Sequence, residues 1–138
     1  MALPFALTAA LSSVLAASTP QTTTESIRYG QMVRCSAAWH LTAAVALTEE
    51  RTDDGGDAIV ALTAYRELAR LYGHGLGHDD TRIQSDMDEE LQGFIQRLDR
   101  ASHPDSRRLH DQVMQNELDI CTTLSGVIAA EGDTSAQP

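Results

Sequence analysis

The 138 residues carry 20 acidic and 10 basic side chains, a formal net charge of −10, and every basic residue is Arg. Such an acidic balance argues against nucleic-acid binding, which needs cations against phosphate, and against docking on an anionic membrane face. The length fits one domain, and the composition includes two cysteines, Cys35 and Cys121.

Residues 1–17 read MALPFALTAALSSVLAA, an apolar, uncharged run ending in small residues. That pattern matches the hydrophobic region and cleavage site of an export signal, and it is too short to span a bilayer. A signal should open on Lys or Arg, yet Met1 leads straight into Ala2-Leu3-Pro4. The expectation is therefore that the true start lies upstream and that a basic segment belongs before Met1. The competing reading makes residues 2–17 an ordinary helix of the fold. Residues 18–24, with Pro20 and a Thr-rich run, read as a polar linker.

The stretch 25–130 reads as four helices in an antiparallel, up-down bundle. Helix one is expected from about Thr24 to Glu50, with Val33, Ala37, Ala38, Leu41, Ala44 and Val45 at helical spacing. Gly55 and Gly56 should interrupt the chain, and Asp57 should cap helix two. Helix two carries Ala61, Ala64, Tyr65, Leu68, Leu71 and Tyr72 on one stripe. The run Gly73-His74-Gly75-Leu76-Gly77 should stop it.

Helix three is expected to start with Asp80 or Thr81 as cap; Thr81 and Gln84 have capping-box spacing. Met87, Leu91, Phe94, Leu98 and Ala101 form its expected buried face. Pro104 should end it, because the residue before a proline avoids the helical region. Helix four runs from near Asp105 to about Ala130, with Val113, Glu117, Ile120, Cys121, Leu124 and Ile128 on its expected inner side. Residues 131–138 read as a disordered tail. No stretch alternates as a strand would, and no internal repeat is present.

The cysteines test this topology. In an up-down bundle helix four runs antiparallel beside helix one. At about 1.5 Å per residue, Cys35 and Cys121 then lie about 14–17 Å from the same end of the bundle. They are level, and a Cys35–Cys121 disulfide is expected between helices one and four. A disulfide implies an oxidising compartment, so the protein is expected in the periplasm or secreted.

The densest chemistry is Gly73-His74-Gly75-Leu76-Gly77-His78-Asp79-Asp80. His74, His78, Asp79 and Asp80 are ligands that a divalent transition metal such as Zn²⁺, Ni²⁺ or Cu²⁺ accepts, and flexible glycines would let both rings turn to one ion. The plainer reading is a linker whose glycines end one helix and whose aspartates cap the next. Asp53, Asp54 and Asp57 lack the spacing and closing Glu of a calcium loop, and turn chemistry accounts for them. His40, beside Trp39, reads as a boundary residue of the bundle.

No C-x-x-C, C-x-x-C-H, paired Glu-x-x-His or G-x-S-x-G motif occurs. The expected function is therefore that of a small exported, non-enzymatic helical protein that binds a protein partner or a small ligand, without a cofactor and with no membrane span in its mature form. Tyr29, Trp39, Tyr65 and Tyr72 are its candidate aromatic anchors. One alternative is a metal-binding protein using the His74–Asp80 loop. Another is an acid-responsive periplasmic helper that loosens as its many carboxylates protonate.

Overall fold

A computed structural model of the chain describes residues 20–135. Four helices follow in order: α1 (Pro20–Thr48), α2 (Thr52–Gly75), α3 (Asp80–Arg100) and α4 (Pro104–Ser135). They form the expected antiparallel bundle, and the described residues contain no strand. The leader at 1–17 lies outside the described residues, as do positions 18, 19 and 136–138.

α1 is the axis of the fold. It packs against all three other helices, most extensively against α2. Met32, Val33, Cys35, Ser36, Ala37 and Ala38 are all buried, so α1 is covered nearly all round at its middle. Its alanines let α2 approach closely, because small side chains keep interhelical spacing short. Among the described residues, α2 and α4 make no close backbone approach to each other.

One core cluster surrounds the disulfide and includes Tyr29, Met32, Tyr65, Ile83 and Met87; a second gathers Leu41, Phe94, Met114 and Leu118. Cys35 and Cys121 form the expected bond, with Cα atoms 5.7 Å apart across a sequence separation of 86. They sit at nearly equal depth from the start of α1 and the end of α4. Closing so long a loop restricts the unfolded chain by about 4–5 kcal/mol in the entropy model.

Several boundaries differ from the sequence-based expectation. α1 begins at Pro20, so residues 20–24 of the expected linker are helical; proline is well suited to the first helical position, where its missing N–H bonds nothing anyway. Gly55 and Gly56 do not break the chain, because α2 starts at Thr52 and Asp57 lies inside it rather than capping it. The reversal is made by Glu50 at φ 58°, with Arg51 N donating to Ala46 O at 2.8 Å. Gly55 serves close packing instead: a Cβ there would stand 2.6 Å from Leu47 Cδ2.

α2 ends as expected. Gly77 takes φ +81°, and His78 N and Gly77 N donate back to Gly73 O and His74 O, each at 2.9 Å. The cap of α3 is Asp79, one residue ahead of the expected Asp80 or Thr81; its side chain accepts from Arg82 N at 2.8 Å. α4 continues through residues 131–135, which were expected in the disordered tail. Gly132 alone costs a helix only about 1 kcal/mol relative to Ala, and no proline intervenes before Pro138.

The inner faces of α2 and α4 also need correction. Ala64 and Leu71 of α2 face solvent, while Ala58, Leu62, Tyr65 and Ala69 are buried. On α4 the core side is Met114, Leu118 and Cys121; Val113 and Ile120 are exposed. α3 buries Met87 and Phe94 as expected, and Ile83 with them.

Candidate functional site

The residues at 73–80 are partly brought together. His74, in the last turn of α2, pairs through Nε2 with Asp80 Oδ1 at 2.9 Å, which bridges the end of α2 to the start of α3. Asp79 is committed to the α3 N-terminus. His78 turns the other way and rests its ring on Tyr29, with centroids 5.0 Å apart. Among the described residues, no three His, Cys, Asp or Glu side chains are grouped to hold a metal ion. His40 is half-buried on α1 at the margin of the α2–α3 groove.

Two polar ties cross the apolar seams. Tyr29 Oη donates to Asp86 Oδ2 at 2.6 Å, and Arg82 Nε donates to both oxygens of the same carboxylate. Burial first, then the Asp86 hydrogen bond, push the Tyr29 phenol well above its ordinary value. Arg34 Nε donates to Glu117 Oε2 at 3.0 Å, and its NH2 bonds Glu117 Oε1. Arg34 also stands 3.6 Å from Glu90 and over the face of Phe94. The Arg34 hydrogen bonds outweigh burial and hold the Glu117 carboxyl below its usual range.

Trp39 and Tyr65 lie where α1, α2 and α4 converge. Burial raises the Tyr65 phenol, opposed by Ser125, Trp39 and Thr122 around its hydroxyl. The Trp39 indole N–H is buried without a hydrogen-bond acceptor among the described residues. Both rings therefore belong to the interior, and the aromatic anchors foreseen for partner contact are largely consumed by the core.

α4 carries the feature that the core does not consume. Leu109, Val113, Ile120 and Val127 are exposed large apolar residues on one flank of this helix, with Leu109 and Ile120 at 62% and 56% exposure. Val113, Ile120 and Val127 recur every seven residues, the spacing of a helix seam that meets another helix. The described chain leaves all four between 42% and 62% exposed. Beside α4's N-terminal half, a groove of about 270 Å³ runs against α1, floored by Leu41, Met114 and Leu118 and edged by Arg107 and Asp111. His110 also lines it. Its Nδ1 contacts Asp111 at 3.3 Å, and its buried Nε2 has no hydrogen-bond partner among the described residues. Burial works against the Asp111 carboxylate, but hydrogen bonds with Arg107 and His110 outweigh it and keep its pKa low.

Sequence reasoning placed Val113 and Ile120 in the core and so missed this flank. The signal was present in Cys121: residues three and seven positions before it, Leu118 and Met114, share its face, and Ile120 does not.

No protein-family model matches the chain, and no curated protein or solved structure matches it.

Proposed function

We propose that this is a small exported, non-enzymatic helical protein that works by docking a protein partner on the exposed flank of α4. The observation that carries the reading is the stripe Leu109, Val113, Ile120 and Val127, left open on a helix that a disulfide fixes to the body of the bundle. Apolar side chains clustered at helix-pairing spacing on a surface favour an apolar partner face, and a rigid support lowers the ordering cost of binding. The apolar leader at 1–17 and a cross-link suited to an oxidising compartment support export. No helix among the described residues is long and apolar enough to cross a membrane.

Photo-crosslinking in the producing cells tests the reading. A crosslinker at Asn116, beside the stripe, should give one discrete adduct that disappears with Val113→Glu and Ile120→Glu. The same probe at exposed Asp57 of α2, a helix whose backbone α4 does not approach, should give none. Equal labelling from both positions, or an adduct indifferent to the two charges, would end the proposal.

A second reading has its own observation. α4 is held to α1 by carboxylate-dependent ties, Arg28–Glu131 and Arg34–Glu117, and Arg107 reaches Glu49 at the α1–α2 turn. Protonating those acids would loosen α4 reversibly and widen its apolar surface, as an acid-responsive helper requires. Protection of an aggregating client below about pH 4, near ordinary carboxylate pKa values, is the expected result; an unchanged client would remove this reading.

A further inference from the structure

We infer that the groove between α2 and α3 is a binding site for a small oxyanion, a carboxylate or phosphate carried on a compact molecule, with Arg66 as its principal contact. This site is separate from the α4 flank and does not rest on it.

The argument starts from charge pairing. In a chain with twice as many acids as bases, arginines should find carboxylates easily. Of the four half-buried arginines, Arg28, Arg34 and Arg107 each do so. Arg66 is the fourth, and among the described residues it has neither a carboxylate within ion-pair distance nor a hydrogen-bond partner. Its sequence neighbourhood is the first reason: positions 62, 63, 69 and 70 hold Leu, Thr, Ala and Arg, so no acid lies one turn away. Glu67 is adjacent but engages Arg70, at a loose 3.4 Å.

The second reason is where Arg66 lies. Thr63, Arg66 and Arg70 make one ridge of α2, spaced as neighbours on a helix face. Glu67 of α2 and, opposite, Gln84 and Met87 of α3 complete the lining of a space of about 300 Å³. Arg66, Gln84 and Met87 also line an adjoining inner recess of about 10 Å³, which reaches His40 and is sized for a single water or oxygen atom. Asp88 lines that recess too, but Gln84 Nε2 donates to it at 2.8 Å. The acids on the two linings, Glu67 in the groove and Asp88 in the recess, are thus already engaged by Arg70 and Gln84.

Two arginines lining one groove with Thr63 and Met87, one of them unpaired and the other only loosely held by Glu67, suit an oxyanion on a small organic body. A planar guanidinium meets a carboxylate or phosphate through two parallel hydrogen bonds, which an ammonium cannot do. The loose, exposed Arg70–Glu67 contact is easily exchanged for a ligand, since such surface pairs contribute little. The competing account is that Arg66 only lays its aliphatic stem on Met87 and Leu62 with its head in water.

The test is a titration of the full oxidised protein with inorganic phosphate and, separately, with citrate, at constant ionic strength, followed by amide and arginine Nε NMR shifts. Saturable shifts confined to residues 63–70 and 84–88 are expected with at least one probe. Saturation by phosphate alone marks the site as one for phosphate esters, and by citrate alone as one for carboxylates. Arg66→Gln should weaken binding at least tenfold, and Arg66→Lys should weaken it by a smaller factor because charge remains and the fork is lost. Arg108→Gln, on an exposed arginine of α4, should leave it unchanged. Linear, unsaturating shifts, or full binding by Arg66→Gln, would overturn the assignment. If Arg66→Gln does not fold, exposed Arg70→Gln decides: undiminished binding there overturns the two-arginine site.

Discussion

Arg34 of α1 and Glu117 of α4 join through two hydrogen bonds, Arg34 next to Cys35 and Glu117 four residues before Cys121, the two halves of the disulfide. The charged tie and the covalent one therefore act on the same level of the bundle. Together they fix a helix whose core contribution is narrow: Met114, Leu118 and Cys121 are the buried large residues of α4.

Replacing Glu117 by Gln should lower stability at neutral pH by about 1 kcal/mol, a modest value because the Arg34 side chain is 38% exposed and solvent screens the pair. The pH dependence carries more information. The folded Glu117 pKa lies below its unfolded value, so its stabilisation is complete above the ordinary carboxylate range, near pH 4.3, and is lost as pH falls through the depressed value. Urea melts at pH 7 and pH 3 should show the variant and the parent converging in acid. An unchanged gap at pH 3 would mean that charge pairing is not the source of the loss.

Removing the disulfide with Cys35→Ala and Cys121→Ala should cost about 3–5 kcal/mol, from lost chain restriction and from the space left at two buried positions. The loss should be uneven. α1, α2 and α3 share most of the core, whereas α4 approaches α1 alone over any length. Hydrogen exchange should quicken through 104–135 well before it quickens in α1. Uniform acceleration across all four helices would show that α4 is no separate unit.

The topology was legible because a level pair of cysteines is a distance measurement written into the chain. Gly77 was legible for a local reason, since a helix C-terminus favours a residue at positive φ. The orientation of α4 was not. It has two apolar stripes, one through Met114 and Leu118 and one through Val113 and Ile120, and helical spacing alone does not say which faces the core. Gly55 misled for a related reason: glycine at a helix start reads as a break, whereas here it makes room for Leu47 from the neighbouring helix. The loop at 73–80 was read as one ligand cluster, but the helix ends it serves send His74 and His78 to different partners.

Two glycines inside helices should respond oppositely to alanine. A Cβ on Gly93 of α3 meets nothing within 4 Å, so Gly93→Ala should stabilise by about 0.5–1 kcal/mol through helix propensity. A Cβ on Gly73 of α2 would stand 2.7 Å from Ile83 Cδ1 and 2.9 Å from Tyr29 Cε2. Gly73→Ala should therefore destabilise by about 1–3 kcal/mol, because the crowded rings and branches are themselves buried. Thermal melts of the two variants that move in the same direction would contradict the packing described for the α1–α2–α3 junction.

The alkaline limb of the stability curve should report buried tyrosines directly, because the chain has no lysine and arginine stays charged. Tyr29 is nearly buried and bonds Asp86, and its folded pKa lies above the unfolded value of about 10. Its stabilisation is thus fully present below about pH 10 and falls as pH rises beyond it, since the unfolded chain loses the phenolic proton first. Tyr29→Phe should cost about 1–2 kcal/mol at pH 7 by freeing the Asp86 hydrogen bond, and should flatten the limb above pH 10. Tyr65, also raised by burial, leaves a residual slope in that variant, which the double change with Tyr65→Phe should reduce further. Denaturant melts between pH 8 and pH 11 decide the matter: an alkaline slope equal in parent and double variant would place the titrating group elsewhere and sever the link between Tyr29, Asp86 and the α1–α3 contact.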